Sequence, residues 1–483
     1  MRWFPVSSRR LRSNEEMPEY SQVTPELKRQ IEAIVGPENV SSSPEDLEKH
    51  AVDESPLEPH PPQLVVRPGS TEEVSKVMRL ANANMVPVTP QGSRTGLSGA
   101  SHPIHGGVAL SLERMNRILE IDEDNLMAVV EPGALISDIH EATEALGLYY
   151  PPDPGQESGS IGGNISTNAG GMRAMKYGVT RDFVNGLQVV LADGEVIEVG
   201  GKNVKDSTGY SLIDLIIGSE GTLGIVTQAT LRLIPKPKHT ALIYAPFNST
   251  LEAANAVKEI ISQKILPFGL EYMPQHTVLT VEKYLEKKVM PDNTHPAYLI
   301  VAVEADTPEE LERQLETAGM ICLDMGAVDA YIADTAAKQA LIWEGRKAVF
   351  DAYLALYTVD EADVCIPRNR IPEYVERAEE IGERHGVMLV PVGHAGDGNL
   401  HYNILKLEET PLDVWPGLME AALSDLIAMS HEMGGTASGE HGLGYTKRHY
   451  LEREVGPRQV ALMKGIKAAF DPNGILNPEK VWP

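Results

Sequence analysis

His394 and His401 are the residues with the clearest capacity for chemistry. They lie in Val392-Gly393-His394-Ala395-Gly396-Asp397-Gly398-Asn399-Leu400-His401-Tyr402-Asn403, between the apolar run Val387-Met388-Leu389-Val390 and Ile404-Leu405. On one continuous strand, residues seven apart would point to opposite faces of a sheet. Gly396, Asp397, Gly398 and Asn399 are turn formers, so the segment reads as a β-hairpin whose two imidazoles face each other and can close on one ion. Asn403 lies on the same side as His401. Two imidazoles are an incomplete metal site, and a third ligand must come from elsewhere. Ser438-Gly439-Glu440-His441-Gly442 is the best source, a glycine-flanked loop with a carboxylate and an imidazole together.

The elements that must position these residues follow an α/β pattern upstream. The chain reads as helical from about Pro25 to His50, then as a strand at Gln63–Pro68. A helix opens at Ser70 or Thr71, with acids in its first turn. After the strand Val86–Thr89 comes a glycine- and hydroxyl-rich loop, Pro90-Gln91-Gly92-Ser93-Arg94-Thr95-Gly96-Leu97-Ser98-Gly99-Ala100. Its backbone N–H groups can converge on an anion. It has neither the G-x-G-x-x-G spacing nor a Walker lysine. A second such region is Pro154-Gly155-Gln156-Glu157-Ser158-Gly159-Ser160-Ile161-Gly162-Gly163-Asn164, running on to Asn168-Ala169-Gly170-Gly171. A third is Ile217-Gly218-Ser219-Glu220-Gly221-Thr222-Leu223-Gly224-Ile225-Val226. Three such loops, each beside a strand, point to a long, extended cofactor.

Pro235-Lys236-Pro237 breaks the pattern and marks a domain boundary. From His239 glycine thins out, and strands such as Tyr298–Val303 alternate with helices, as in an α+β domain with an antiparallel sheet. Trp343–Ala348 is helical and carries Arg346. Asp363–Pro367 is a strand, and Pro372–His385 is a helix leading into the hairpin. Helices follow at Pro411–Met433 and Arg458–Phe470, before Asp471-Pro472-Asn473-Gly474-Ile475-Leu476-Asn477-Pro478-Glu479-Lys480.

Composition narrows the class. With 483 residues the chain is too long for one core. The net charge of −27, from 42 basic and 69 acidic residues, repels phosphate backbones and argues against nucleic-acid partners. It also means that an anionic substrate needs a local cation in its pocket. No run approaches the roughly 18–20 apolar residues of a membrane span. Two cysteines, Cys322 and Cys365, cannot build a disulfide framework, which implies a reducing compartment and a cytoplasmic location. Arg2, Arg9, Arg10 and Arg12 precede any acid, faintly like a transit peptide, but the stretch lacks the apolar core of a secretory signal and reads as an unstructured start.

Together, the three glycine loops resemble the FAD-binding domain of the vanillyl-alcohol oxidase superfamily. Gly393–His401, Ser438–Gly442 and Phe470–Pro478 resemble its FAD-linked oxidase C-terminal domain. The resemblance extends from about residue 40 to the end, and its branch contains D-lactate dehydrogenase, the glycolate oxidase flavin subunit and D-2-hydroxyglutarate dehydrogenase. It implies an α+β fold: a weakly ordered segment 1–24, an FAD-binding domain 25–237, a substrate domain 238–410 carrying the hairpin, and a helical segment 411–483 returning to the FAD domain.

The resemblance further implies that FAD contacts Pro90 through Ser98, then Pro154, Gly155, Ser158, Gly159, Ile161, Gly162, Gly163, Asn168 and Gly170, then Glu220, Gly224 and Ile225, and finally Asn477. Leu97 and Ser98 occupy the place where some members attach flavin through a histidine, so non-covalent FAD is expected. His394, His401 and Glu440 would hold a divalent metal: zinc, manganese or iron. His441 would be the general base, with Asn403 a substrate contact. Arg346 would hold the substrate carboxylate, although by itself it reads as a helix-surface residue paired with Glu344 or Asp351.

The reaction expected is oxidation of a D-2-hydroxy acid, D-lactate first and glycolate next, to the 2-oxo acid. Quinone, an electron-transferring flavoprotein, cytochrome or oxygen would reoxidise the flavin, and the chain would act as a homodimer or within a redox complex. Asp360, Glu361 and Ala362 stand where dicarboxylate-oxidising members carry a basic residue, which disfavours 2-hydroxyglutarate. A 2-hydroxyglutarate or longer-chain substrate, and a non-catalytic flavoprotein subunit, are the alternatives. A metal-only hydrolase would leave the glycine loops without purpose.

Overall fold

Three short apolar strands, Leu64–Val66, Val88–Gln91 and Val108–Ser111, run parallel in a four-stranded sheet with Val40–Ser41 at its antiparallel edge. Their side chains are almost all buried, as in a sheet covered by a crossover helix. That helix, Thr71–Ala83, starts where Ser70 Oγ accepts from Glu73 N at 3.2 Å, so Ser70 is the cap. The single helix expected over residues 25–50 is interrupted. Helix Pro25–Val35 stops at Gly36, and the chain forms a strand at Val40–Ser41 before helix Pro44–Lys49.

This structure, a computed structural model, describes residues 18–482. Most of the weakly ordered start expected over residues 1–24, including its arginine cluster, lies outside the described residues. Tyr20 and Ser21 are tied to the body of the protein: Ser21 N donates to Met85 O at 2.9 Å and Tyr20 Oη to Gly474 O at 2.8 Å.

A second, five-stranded antiparallel sheet follows, in the order Ile118–Asp122, Met127–Val130, Ile225–Arg232, Val184–Val190, Val196–Gly200. Beyond Pro235 the chain builds a seven-stranded antiparallel sheet from His239–Phe247 to Asn399–Leu405. One face of it packs on helices Thr250–Ser262, Pro308–Asp324, Ile371–His385 and Trp415–Glu432 through a large apolar core. The other face is divided. At one end Tyr244, Tyr298, Ile300, Val390, Val392 and Leu405 make a second apolar core with helices Gln275–Leu285 and Val349–Leu356. At the other end the face is polar and bears the hairpin histidines.

The C-terminal segment does not return as one unit. Helix Trp415–Glu432 buries Ala422, Leu423, Leu426 and Ile427 against the seven-stranded sheet, because that face of the helix is apolar. The return begins after Ser438. Helix Pro457–Phe470 reaches the third glycine loop through Lys467 Nζ, which donates to Thr222 O at 2.8 Å. Ile475 and Leu476 then lie beside the first sheet, with Val88 N donating to Ile475 O and Asn477 N to Val88 O, both at 2.8 Å. Among the described residues, no helix is long and apolar enough to cross a membrane, and both cysteines are free thiols.

The packing of helix Trp415–Glu432 leads to a first prediction. Leu426 is fully buried in the core behind the site. Leu426→Ala should cost about 2–5 kcal/mol of unfolding free energy, measured by denaturant titration. A loss below 1 kcal/mol would show that the helix is not part of the cooperative core.

Candidate active site

The hairpin forms between strands Met388–His394 and Asn399–Leu405, turning through residues 395–398. Gly398 has φ +94°, and a Cβ there would lie 2.0 Å from Ile366 O, so the turn requires glycine. The register sets His394 opposite Asn399 and His401 opposite Val392. The two imidazoles are therefore diagonal neighbours on one face, their centroids 5.4 Å apart and their planes nearly perpendicular. Strand Val359–Cys365 adds to the same face, with Asp363 opposite His401 and Glu361 opposite Asn403.

Asp363 is fully buried and acts as the hub. Its Oδ2 accepts from Ser438 Oγ at 2.7 Å, His441 N at 2.9 Å and Glu440 N at 3.0 Å, while Oδ1 accepts from Asn399 Nδ2 at 2.8 Å. One carboxylate thus fastens the Ser438–His441 loop over the hairpin. Burial alone would push this carboxyl up, but His441, Lys447 and His401 outweigh it and hold it well below the ordinary carboxylate range.

The loop delivers Glu440 Oε1 to 3.4 Å from His394 Nε2 and 3.3 Å from His401 Nε2. Ligand atoms about 2.1 Å from a tetrahedral ion lie about 3.4 Å apart, so this donor set has the dimensions of a divalent-metal site. The far nitrogen of His394, Nδ1, lies 2.9 and 3.0 Å from the two oxygens of Glu271, which leaves Nε2 as the free lone pair. Burial would lower both imidazole pKa values. Glu271 and Glu440 beside His394, and Glu361, Glu440 and Asp363 beside His401, raise them instead. The same negative field would favour a cation between the rings.

His441 stacks on His401 with centroids 5.2 Å apart. Its Nδ1 faces Asp363 Oδ2 at 3.7 Å and Glu361 Oε2 at 3.9 Å. Arg346 lines neither of the two cavities described below. Its guanidinium is buried against Glu271, with Nε and Nη2 both 2.8 Å from Oε2. It pairs with neither Glu344 nor Asp351, and it bears on the site through Glu271 and His394. Glu271 and Asp363 escaped the sequence reading of the site, and Glu361 entered it only as an acid that disfavours a dicarboxylate. The available signal was an acid at an inward position of a strand, as in Leu270-Glu271-Tyr272 and Ala362-Asp363-Val364.

The three glycine loops converge on one cavity. Pro90 through Ser98, Pro154, Gly162, Gly163, Gly170, Glu220, Gly224, Ile225 and Asn477 all line it, and Glu440 and His441 close one end. Gly155, Ser158, Gly159, Ile161 and Asn168 do not. They shape the turn and helix Ile161–Thr167: Ile161 points into the core, and Asn168 is a left-handed helix cap whose Oδ1 accepts from Arg181 N. Asn164 and Ser166 line the cavity without having been singled out. Asn164 Nδ2 and Asn477 Oδ1 are buried, line this cavity and have no protein partner, as a site for a large polar ligand would leave them.

The cavity is fastened to the loop of Glu440. Glu220 accepts from Gly444 N at 2.8 Å and Leu443 N at 3.0 Å. Burial pushes the Glu220 carboxyl up to about 7. Ser98 Oγ donates to His441 O at 3.0 Å. Gly444, at φ +51°, would place a Cβ 2.1 Å from Ser98 O, so only glycine allows this approach.

A second cavity lies on the other side of His441, and Leu97 and His441 line both. Its polar groups include Asn403, Asp360, Glu361 and Lys447. Asn403 Nδ2 is buried without a partner. Lys447 is 6% exposed and has no carboxylate within 4.0 Å among the described residues.

Comparison with known proteins places this geometry. Residues 62–200 match the family described as FAD binding domain, and residues 236–481 match FAD linked oxidases, C-terminal domain. The chain is 39% identical to a D-lactate dehydrogenase of Anaerostipes hadrus over 471 residues, covering 96% of this chain and 98% of the relative. It is 39% identical to the glycolate oxidase subunit GlcD of Bacillus subtilis over 467 residues, covering 95% and 97%. The solved 4-ethylphenol oxidase of Gulosibacter chungangensis superposes with a TM-score of 0.76 at 21% identity, covering 97% of this chain and 99% of that one. That likeness bears out the α+β, vanillyl-alcohol-oxidase-type fold.

The hub carries the prediction here. Asp363→Asn substitutes an amide for one oxygen and neutralises a carboxylate facing four donors. At least one buried donor then lacks its acceptor, at about 1–3 kcal/mol. Amide hydrogen exchange of residues 438–444 should accelerate in this variant, while exchange in the first sheet stays as it was. Unchanged protection of 438–444 would mean that Asp363 does not hold the loop.

Proposed function

Because the chain belongs to the FAD-linked oxidases, we propose that it oxidises a D-2-hydroxy monocarboxylate to the 2-oxo acid, with non-covalent FAD in the glycine-loop cavity and a divalent metal at His394, His401 and Glu440. The observation that carries this reading is the junction of the two cavities at His441. A hydroxy acid in the second cavity meets a base, a cation site and the flavin cavity at one point.

FAD bound there supplies the acceptor for two electrons and the hydrogen of C2, and a metal at the three ligands supplies Lewis acidity toward the 2-hydroxyl. The chain's own residues do the rest. His441 takes the hydroxyl proton on Nε2, while Asp363 and Glu361 beside Nδ1 stabilise the charged ring. Asn403 Nδ2, otherwise unpartnered, is the donor for a substrate oxygen. With Arg346 committed to Glu271, Lys447 is the buried cation that remains for the substrate carboxylate. Asp360 and Glu361 in the same wall oppose a second carboxylate, which favours a monocarboxylate over 2-hydroxyglutarate.

Two measurements test the assignment. Holoprotein mixed anaerobically with D-lactate should lose its oxidised flavin absorbance. His441→Asn should retain FAD but slow that bleaching by about 10²–10⁴-fold; bleaching at the original rate would exclude His441 as the base. Glu271→Gln removes the negative charge beside His394 Nδ1 and should weaken metal binding by about 10–100-fold. Titration of the metal-depleted protein with zinc or manganese reads this directly, and equal affinity in the variant would remove Glu271 from the metal site.

A further inference from the structure

The second cavity is larger than the reacting atoms require. Its volume is about 550 Å³, within the range that encloses drug-sized ligands. Asn403, Asp360, Glu361 and Lys447 are among its polar groups, and His441 lines it as well. Large apolar side chains of the wall come from three separate segments. Leu57 comes from the first domain, Phe350 and Leu354 from helix Val349–Leu356, and Met419 and Leu423 from helix Trp415–Glu432. Each helical pair is spaced i, i+4, so its two side chains lie on the same helix face.

On the reading above, the hydroxyl and carboxylate of a 2-hydroxy acid are taken up at the polar groups, and the hydrogen on C2 faces the flavin cavity. Only the side chain on C2 is left to meet the apolar wall. A methyl group would leave most of that wall wet, whereas a branched or aromatic group covers it. Glu54, Asp360, Glu361 and Glu420 stand in the lining against the single ammonium of Lys447, so an anionic side chain is opposed.

We propose that the substrate is a 2-hydroxy monocarboxylate with a branched aliphatic or aryl side chain, held in the cavity walled by Leu57, Phe350, Leu354, Met419 and Leu423. The inference rests on the proposed oxidation of 2-hydroxy acids.

The test uses holoprotein and four D-2-hydroxy acids: lactate, 2-hydroxy-4-methylpentanoate, 3-phenyllactate and 2-hydroxyglutarate. One methylene in a hydrophobic pocket discriminates by about tenfold or more. The second-order rate of anaerobic flavin reduction should therefore be at least about tenfold higher for the branched and aryl acids than for lactate, with 2-hydroxyglutarate lowest. Binding without turnover supplies a second readout: 4-methyl-2-oxopentanoate should bind the oxidised protein more tightly than pyruvate by calorimetry. Met419→Trp narrows the cavity and should reduce both ratios. If that variant does not fold, Leu354→Trp, at a half-exposed position of the wall, gives the same readout. Lactate reacting as fast as the bulky acids, 2-hydroxyglutarate reacting fastest, or ratios unmoved by the filled cavity would overturn the side-chain assignment alone. Failure of all four acids to reduce the flavin would overturn the oxidation reading and this inference with it.

Discussion

The buried carboxylate of Asp363 is the constraint on which the site depends. An anion out of reach of water is tolerated only when surrounded by donors and cations. Here the donors are Ser438 Oγ, the backbone N–H groups of Glu440 and His441, and Asn399 Nδ2. Satisfying Asp363 therefore requires the Ser438–His441 loop to close on the strand face. Closing it brings Glu440 between the two hairpin imidazoles and His441 onto His401. The geometry of the candidate metal site follows from one demand for hydrogen bonds.

The same loop joins the two halves of the molecule. Its far end is gripped by Glu220 and Ser98, which belong to the third and first glycine loops. Asn477, near the end of the described chain, donates to Ala100 O and Glu220 O and so ties those loops together. The glycine-loop cradle comes from the first half, and the imidazole cluster with Glu440 comes from the second. Burial pushes the Glu220 carboxyl up and the Lys480 amine down, both to about 7, beside this seam. Desolvated acids and bases gathered at a domain junction are characteristic of a functional site.

Electrostatics in the second domain run in one direction. Glu271, Glu361, Asp363 and Glu440 surround three imidazoles, and Arg346 is spent on Glu271. Such an excess of carboxylates favours a cation between His394 and His401. At the second cavity the lining cation is Lys447, which is buried and has no carboxylate within 4.0 Å among the described residues.

The sequence by itself determined the local pieces. The turn formers Gly396–Asn399 announced a hairpin, the glycine loops announced a cradle, and Ser438–Gly442 announced a loop with ligand chemistry. These follow from backbone preferences and side-chain types, which are local properties. Only the tertiary structure decided the partnerships. Arg346 has Glu344 and Asp351 close by in the sequence, yet it pairs with Glu271, 75 positions earlier. Asp363 has no motif around it, and its four donors come from segments up to 78 positions away. The helix Trp415–Glu432 was legible as a helix but not as part of the large apolar core on the seven-stranded sheet, because its destination depends on which sheet face offers a matching apolar surface. The composition of a stretch states which bonds it can make. Which partner is present when water is excluded depends on the packing of the whole chain, and in this protein that choice makes the site.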